Sequence, residues 1–323
     1  MKRVIIDTDP GIDDALALFL ALQSPELTIE AITSVAGNTR VEDCTRNVFL
    51  ILELLKPEPR PVVAQGAARP LESELRLALD VHGEDGLGEL FRHRNPDGLP
   101  RYPRSRQSPA AVEAADLILE LVRRYPGEIT LITLGPLTNI AQALRRDRKT
   151  MEKVSRIISM GGAVLVPGNT SATAEFNIAT DPEAARIVLG SGLPLTLIPL
   201  DVTGRARLSG EALRTWVEPL ADLPAQFLLD CTAHLIALSE KWEGFAGITL
   251  HDPLTVGVVI DPNLVKTRPL YVQVETRGEI TTGMTVADRR PFRAAGQPNV
   301  DVALDVDVDR FLSLFVERVC RRS

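Results

Sequence analysis

Val4-Ile5-Ile6-Asp7-Thr8-Asp9-Pro10-Gly11-Ile12-Asp13-Asp14-Ala15 is the stretch on which the reading of this chain turns. Its three apolar residues predict a short buried strand, and Pro10-Gly11 predicts a turn. A helix is predicted to start at once in Asp13-Asp14-Ala-Leu-Ala-Leu-Phe-Leu-Ala-Leu. Asp7, Asp9, Asp13 and Asp14 then gather where the first strand ends and the first helix begins. Open α/β sheets bind ligands at that edge. Asp13 and Asp14 could cap the helix, since acids there satisfy free N–H groups and the helix dipole. Capping explains one or two of the acids but not four, because like charges this close repel unless a cation, protons or water offset them. A hard divalent cation held by oxygen is the leading inference.

Composition sets bounds on the rest. The 323 residues allow two domains, but α/β folds of this length often form one. No internal repeat or dividing linker is found, so one domain over 1–323 is expected. A content of 45% hydrophobic and 24% charged residues fits a globule with a large core. A net charge of −7 and a pI near 5.3 argue against a nucleic-acid backbone or an anionic membrane as partner. Cys44, Cys231 and Cys320 are odd in number and far apart, with no zinc pattern, so no disulfide framework is expected. Met1-Lys2-Arg3 leads directly into a strand, and no run of about 18 apolar residues occurs. A cytoplasmic location is expected.

Outward from the opening stretch, strands and helices alternate. Leu27 to Val35 reads as a strand, Val41 to Leu55 as a helix stopped by Pro57, and Val62 to Ala64 as a short strand. That order is the pattern of an open, mostly parallel sheet with helices on its faces. Asn38, just past the second strand, reads either as a turn residue or as an amide reaching a ligand. From about Arg69 to Ser108 glycine, proline and charge dominate, and a long irregular stretch in a compact domain is usually functional or disordered. It is read as a mobile flap over the site, with His82 a surface histidine on its residue type alone and Arg92 to Arg106 simply solvated.

Beyond the flap, a helix is predicted over Ala110 to Arg124 and a buried strand over Glu128 to Leu134, with Asn139 hydrogen bonding at the next helix start. Arg156 to Gly162 is a strand running into glycines that permit close backbone approach. Leu195 to Leu200 is another strand, after which Asp201 is expected to cap a turn. Helices are predicted over Ser209 to Val217 and Pro224 to Glu240. Asp252 opens a further helix, where an N-cap is its ordinary role. Val265 to Glu275 and Gly283 to Ala287 read as strands and Val308 to Arg321 as a closing helix. The alternating acids from Asp301 to Asp309 read as a half-exposed strand rather than a metal site.

Four blocks resemble the nucleoside hydrolases of the inosine-uridine preferring type, which cleave the N-glycosidic bond of ribonucleosides with a bound Ca²⁺. They are Asp7-x-Asp9-Pro10-Gly11-x-Asp13-Asp14, Leu134-Gly135-Pro136-Leu137-Thr138-Asn139, Asn169-x5-Glu175-Phe176-Asn177 and His251-Asp252-Pro253. Met160-Gly161-Gly162 and Asp181-Pro182-Glu183 flank the third block. The resemblance implies that Asp9, Asp14, Asp252 and the Leu134 carbonyl hold Ca²⁺, with Asp7 supporting them from behind. It implies that Asp13 binds the 2′-hydroxyl, Asn169 and Glu175 the 5′-hydroxyl and Asn177 the 3′-hydroxyl. Phe176 would cover an apolar face of the sugar, and Asn38 would also reach the substrate. His82, in His82-Gly83-x-x-Gly86-x-Gly88, would stand at the base-binding end. A homo-oligomer, dimer or tetramer, is implied as well.

The implied reaction passes through an oxocarbenium-like transition state. Asp9, touching both metal and water, removes a proton from the water that the metal acidifies. Carboxylates and amides around the ribose stabilise the growing positive charge. His251 is the first candidate to protonate the departing base, because histidine titrates near neutrality, and His82 is the second. Relatives that use purines often carry tyrosines on the helix before His-Asp-Pro. Here Cys231 to Ser239 holds none, which favours pyrimidine or broad use, and His234 on that helix reads as packed. Three alternatives compete. A dehalogenase-type phosphatase would also begin with hydrophobic-Asp-x-Asp, but leaves the later blocks unexplained. A non-catalytic nucleoside-binding protein would not need the acids, and a structural Ca²⁺ site would not stay open to ligand.

Overall fold

Alternation along the first strand decides how the sheet is covered. In β1 (Lys2–Thr8), Val4 and Ile6 point into one apolar core and Ile5 into another on the opposite face. A strand buried on both faces lies inside a sheet with helices on either side. The computed structural model describes residues 1–102, 105–290 and 296–320, the last without its side chain. Positions 103–104 of the irregular stretch, the Cys320 side chain and Arg321 of the expected closing helix lie outside the described residues.

The other strands are β2 (Leu27–Ser34), β3 (Val62–Gln65), β4 (Ile129–Thr133), β5 (Arg156–Met160) and β6 (Leu195–Ile198), followed by β7 (Arg207–Ser209) and β8 (Gly247–Thr249). β9 (Val265–Val274), β10 (Thr285–Asp288) and β11 (Val300–Val306) complete the set. Nine of them form one sheet in the order β10-β9-β11-β6-β5-β4-β1-β2-β3, while β7 and β8 make a separate antiparallel pair. Only β9 runs against the rest of the large sheet. The chain lays β2 and β3 to one side of β1 and β4, β5 and β6 to the other. Strand order therefore reverses between β1 and β4, which opens a crevice at their carboxyl ends.

The main helices are α1 (Ile12–Leu22), α2 (Val41–Leu55), α3 (Ala114–Arg124), α4 (Thr138–Arg146) and α5 (Phe176–Thr180). α6 (Pro182–Leu189), α7 (Gly210–Val217), α8 (Leu223–Glu243), α9 (His251–Ile260) and α10 (Val308–Phe315) follow. In α1 every residue from Asp14 to Ala21 is buried, and in α9 every residue from Asp252 to Val259. Helices apolar nearly all round belong in the interior. The two pack against each other and bring their amino ends, with Asp13-Asp14 and His251-Asp252, side by side. Phe19 of α1 stacks on Phe227 of α8 with ring centres 5.4 Å apart. Truncating such a core ring to alanine costs about 3–5 kcal/mol.

Several boundaries differ from the sequence reading. α3 starts at Ala114 rather than Ala110, and the Ala110 N–H instead donates to the Val63 carbonyl of β3. α8 runs on to Glu243, from an Asp222 cap on the Ala225 N–H to Gly244 in the left-handed region. β10 begins at Thr285, since Gly283 at φ 84° belongs to the preceding turn. The closing helix widens into a π turn over Val316–Cys320. Asp301 to Val306 is the expected strand, but Asp307 caps α10 and Asp309 lies in its first turn.

Candidate active site

The acids of the opening stretch and Asp252 meet at the β1–β4 crevice. Asp13, Asp14 and Asp252 each bring an oxygen into a group spanning no more than 4.8 Å. The Asp14 and Asp252 carboxyls are close enough that each shifts the other's titration. Asp14 is firmly held: it accepts from Thr8 Oγ1, from the Gly11 N–H at 3.0 Å and from Asn38 Nδ2 at 2.9 Å. Asp252 does not cap α9; the cap position is Leu250 and Asp252 sits in the first turn.

Asp9 lies fully buried between two glycines. A Cβ at Gly37 would stand 2.1 Å from Asp9 Oδ2, and one at Gly135 2.3 Å from Oδ1. The Asn38 N–H donates to Oδ2 at 2.7 Å, whereas Oδ1 is buried with no partner among the described residues. Behind it, Asp7 Oδ1 accepts from Thr33 Oγ1 and, at 2.7 Å, from Asn139 Nδ2. Asn139 thus braces Asp7 across the sheet rather than its own helix end, and its Oδ1 takes the Ala67 N–H at 2.9 Å.

Burial pushes all these carboxyls up. Asp9 and Asp252 go well above the ordinary range, through burial first and neighbouring acids second. Burial and then Asp14 lift Asp13 to about 7; burial alone lifts Asp7 to about 7, against the pull of its Thr33 and Asn139 bonds. A site of buried, mutually repelling oxygens, with Asp9 Oδ1 and Asp7 Oδ2 both left without a partner among the described residues, fits a hard cation, and the acid group there, Asp13, Asp14 and Asp252, is all oxygen. Asp13, expected at the sugar, is the third member of the tight group, while Asp9 joins the same electrostatic cluster from the β1 side.

The third block lines the same crevice. Asn177 Nδ2 donates to the Leu134 carbonyl at 2.6 Å, so the main-chain oxygen after β4 faces this block. Glu175 is buried and caps α5, accepting N–H bonds from Gly162, Asn177 and Ile178 at 2.9, 2.8 and 3.1 Å. Asn169 is exposed, and its Oδ1 accepts the Phe176 N–H at 3.0 Å. Phe176 is half-buried. Asp201 reaches back rather than forward: it accepts from the Val164 and Leu165 N–H groups at 2.9 and 2.7 Å and shapes the loop leading to Asn169.

Two histidines stand over the other side. His82 is buried rather than on a surface loop, and its Nδ1 accepts the Ile12 N–H at 3.0 Å, which leaves the ring proton on Nε2. His251 Nδ1 lies 2.8 Å from Thr203 Oγ1. Neither titrates near neutrality: burial pushes His251 down to about 4, and burial with the nearby His234 and His251 pushes His82 down to about 3. Both are neutral at pH 7. A cleft of about 870 Å³ lies at the opposite, amino-terminal edge of the sheet, among Lys2, Arg3, Arg156 and Asp301. It gathers no acid cluster, so chemistry rather than volume locates the site.

A family model for inosine-uridine preferring nucleoside hydrolases matches residues 4–313. The chain belongs to that family. It is a nucleoside hydrolase, of an enzyme class that acts on N-glycosyl bonds. The pyrimidine-specific ribonucleoside hydrolase RihA of Salmonella gallinarum is 43% identical over 319 residues, 98% of this chain and 97% of that protein. Among solved structures, the plant nucleoside hydrolase PpNRh1 superposes with a TM-score of 0.90 at 36% identity, covering 99% of both chains. A purine-preferring ribonucleoside hydrolase from Gardnerella vaginalis also gives 0.90, at 34% identity over 99% of this chain and 98% of that one.

Within this nucleoside hydrolase the flap departs most from its sequence reading. Arg92 to Arg106 is not simply solvated: Tyr102 is 7% exposed, and its hydroxyl donates to Asp230 of α8 at 2.8 Å. Asp85 ties the turn before it by accepting N–H bonds from Leu87 and Glu89, both at 2.9 Å. His234 Nε2 is buried without a partner among the described residues. Sequence reasoning missed Asp230 and Thr203 because each reaches its partner across a separation of many residues, and nothing local marks either one. No helix among the described residues is long and apolar enough to cross a membrane.

Proposed function

We propose that this chain is a calcium-dependent ribonucleoside hydrolase, one catalytic domain over 1–323, with a pyrimidine or broad base preference. The observation that carries the reading is the convergence of Asp9, Asp13, Asp14 and Asp252 at the β1–β4 crevice, with a buried lone pair left open on Asp9 Oδ1. Asp9, Asp14, Asp252 and the Leu134 carbonyl would hold Ca²⁺. When bound, the ion supplies fixed positive charge that acidifies water and neutralises the clustered carboxylates.

The chain's own residues do the rest. Asp9, fixed by the Asn38 N–H and walled by Gly37 and Gly135, takes the proton from the attacking water. Asp13 binds the 2′-hydroxyl and Asn177 the 3′-hydroxyl, while Asn169 and Glu175 hold the 5′ end. Asn38 reaches the sugar from the side of Asp14, and Phe176 covers its apolar face. Positive charge growing on the ring is met by these carboxylates and amide oxygens. At the leaving-group end, His251 and His82 hydrogen bond to the departing base as neutral imidazoles, His82 through Nε2–H. The likeness to RihA and the absence of tyrosine from Cys231 to Ser239 support pyrimidine use. A cytoplasmic dimer or tetramer is part of the same reading, and light scattering on the eluting protein checks its size.

The deciding experiment measures ribose release from uridine, cytidine, inosine and adenosine, before and after chelation, beside an Asp9→Ala variant. Metal-sensitive release that the variant loses supports the mechanism, and the order of bases sets the preference. Tight nucleoside binding in Ca²⁺ without cleavage replaces it with a binding protein.

A further inference from the structure

The flap from Gly83 to Tyr102 is fastened to α8 at one buried carboxylate. Asp230 Oδ2 receives Arg101 Nη1 at 2.7 Å and the Tyr102 hydroxyl at 2.8 Å, with His93 Nδ1 at 3.3 Å. Its Oδ1 accepts Gln226 Nε2 at 2.8 Å, so both oxygens are engaged. The Tyr102 ring meets Phe227 edge-on, centres 5.7 Å apart, and Phe227 stacks on Phe19 of α1. The next residue along α8 takes the other half of the flap. Gly88, at φ 74°, comes so near that a Cβ there would stand 2.6 Å from the Cys231 carbonyl oxygen. Only glycine accepts both that backbone conformation and that approach. The Gly88 N–H donates to the His82 carbonyl at 2.8 Å, and His82 Nδ1 accepts the Ile12 N–H at the start of α1. A continuous path therefore runs from Asp230 through the flap to His82.

We propose that Asp230 is a positioning residue for the leaving-group end of the site: by holding His93, Arg101 and Tyr102, it seats the flap on α8 and fixes the His82 imidazole. This rests on the ribonucleoside hydrolysis proposed above. The sugar end hangs from β1, β4 and α5 and does not depend on the flap. The base end does, because His82 opens the segment that Gly88 and Asp230 fasten to α8; its other anchors are Asn47, which donates to the Asp85 carbonyl at 2.8 Å, and the buried Leu87 and Leu90. Loss of the Asp230 charge frees the flap, and His82 no longer keeps a defined place beside the departing base. A misplacement of about 1 Å in such a group costs roughly a hundredfold in rate.

The test compares the wild-type chain with Asp230→Asn and Tyr102→Phe, using uridine and p-nitrophenyl riboside, whose leaving group departs as a stable anion without a proton. Amide hydrogen exchange of residues 83–102 is followed alongside. Asp230→Asn is expected to speed exchange in the flap while β1, β4 and α9 stay protected. It should lower kcat/KM on uridine by about a hundredfold, mainly through kcat, and keep the rate on the nitrophenyl substrate. Tyr102→Phe is expected to change both readouts in the same direction and less. Unchanged flap exchange in Asp230→Asn overturns the proposal, and so does an equal loss on both substrates with a general loss of protection. If the wild-type chain cleaves neither substrate the functional reading falls, while the exchange data still decide whether Asp230 holds the flap.

Discussion

At the scale of single residues, the site is defined by what cannot be added as much as by what is present. Asp9 fits because positions 37 and 135 carry no Cβ. Gly37→Ala or Gly135→Ala should leave a folded protein that has lost nearly all turnover, since the new methyl stands in the space of the carboxylate. Near-wild-type ribose release from either variant would refute that packing argument. Asp9→Asn should cut kcat by about 10³-fold, the range for loss of a general base. It should not lower the melting temperature, because it removes a buried acid that burial and neighbouring charges already disfavour. His82 makes the opposite kind of statement. Burial holds it at about 3, below the usual 6.5, so below pH 6.5 the unfolded chain binds a proton that the native one refuses. Stability from this group is complete above pH 6.5 and falls by about 1.4 kcal/mol per unit as the pH drops towards 3. Urea melts of wild type and His82→Gln should therefore converge by about 2 kcal/mol between pH 7 and pH 5. A constant difference would mean that the imidazole is not held neutral.

At the scale of elements, short helices are anchored by acids that each serve several segments. Asp181 accepts the Ala184 N–H at 3.0 Å as the cap of α6, the Thr138 hydroxyl of α4 at 2.7 Å and the Leu71 N–H at 2.9 Å. Asp181→Ala leaves these donors without their acceptor, at a cost of about 2–4 kcal/mol in denaturant unfolding. A loss below about 0.5 kcal/mol would show that water replaces the carboxylate at no penalty. Glu175 does the same for α5, so the residue proposed to hold the 5′ end of the sugar is also the one that builds the helix. α1 and α9 work in reverse. Their cores fix them rigidly in the interior, and their amino ends, where free N–H groups and the dipole favour negative charge, present the acids.

At the scale of the whole molecule, the acid cluster makes folding dependent on what neutralises it. Ca²⁺ at about a hundred times its dissociation constant should stabilise the native state by about 2.7 kcal/mol and raise Tm by several degrees. Chelation should reverse the shift, and Asp14→Asn and Asp252→Asn should each abolish most of it. A Tm indifferent to Ca²⁺ in the wild type would remove the ion from the proposed mechanism. Much of this architecture was legible along the chain. Residues 4–6 are a continuous apolar run, 129–134 and 157–160 are short apolar stretches broken only by Thr130, Thr133 and Ser159, and helical periodicity separates the three, so an open, mostly parallel sheet follows from local pattern alone. Four carboxylates in eight residues at a strand end likewise announce a ligand edge, because charge at that density has few other uses. The sequence alone could not say which acids share a partner, that Asp13 rather than Asp9 completes the tight group with Asp14 and Asp252, or that Asn139 braces Asp7. Nor could it show His82 and His251 neutral, or the flap fastened at Asp230. Those facts depend on distance between segments that the chain separates by tens or hundreds of residues, and on burial, which sets the cost of a charge only once the fold has excluded water around it.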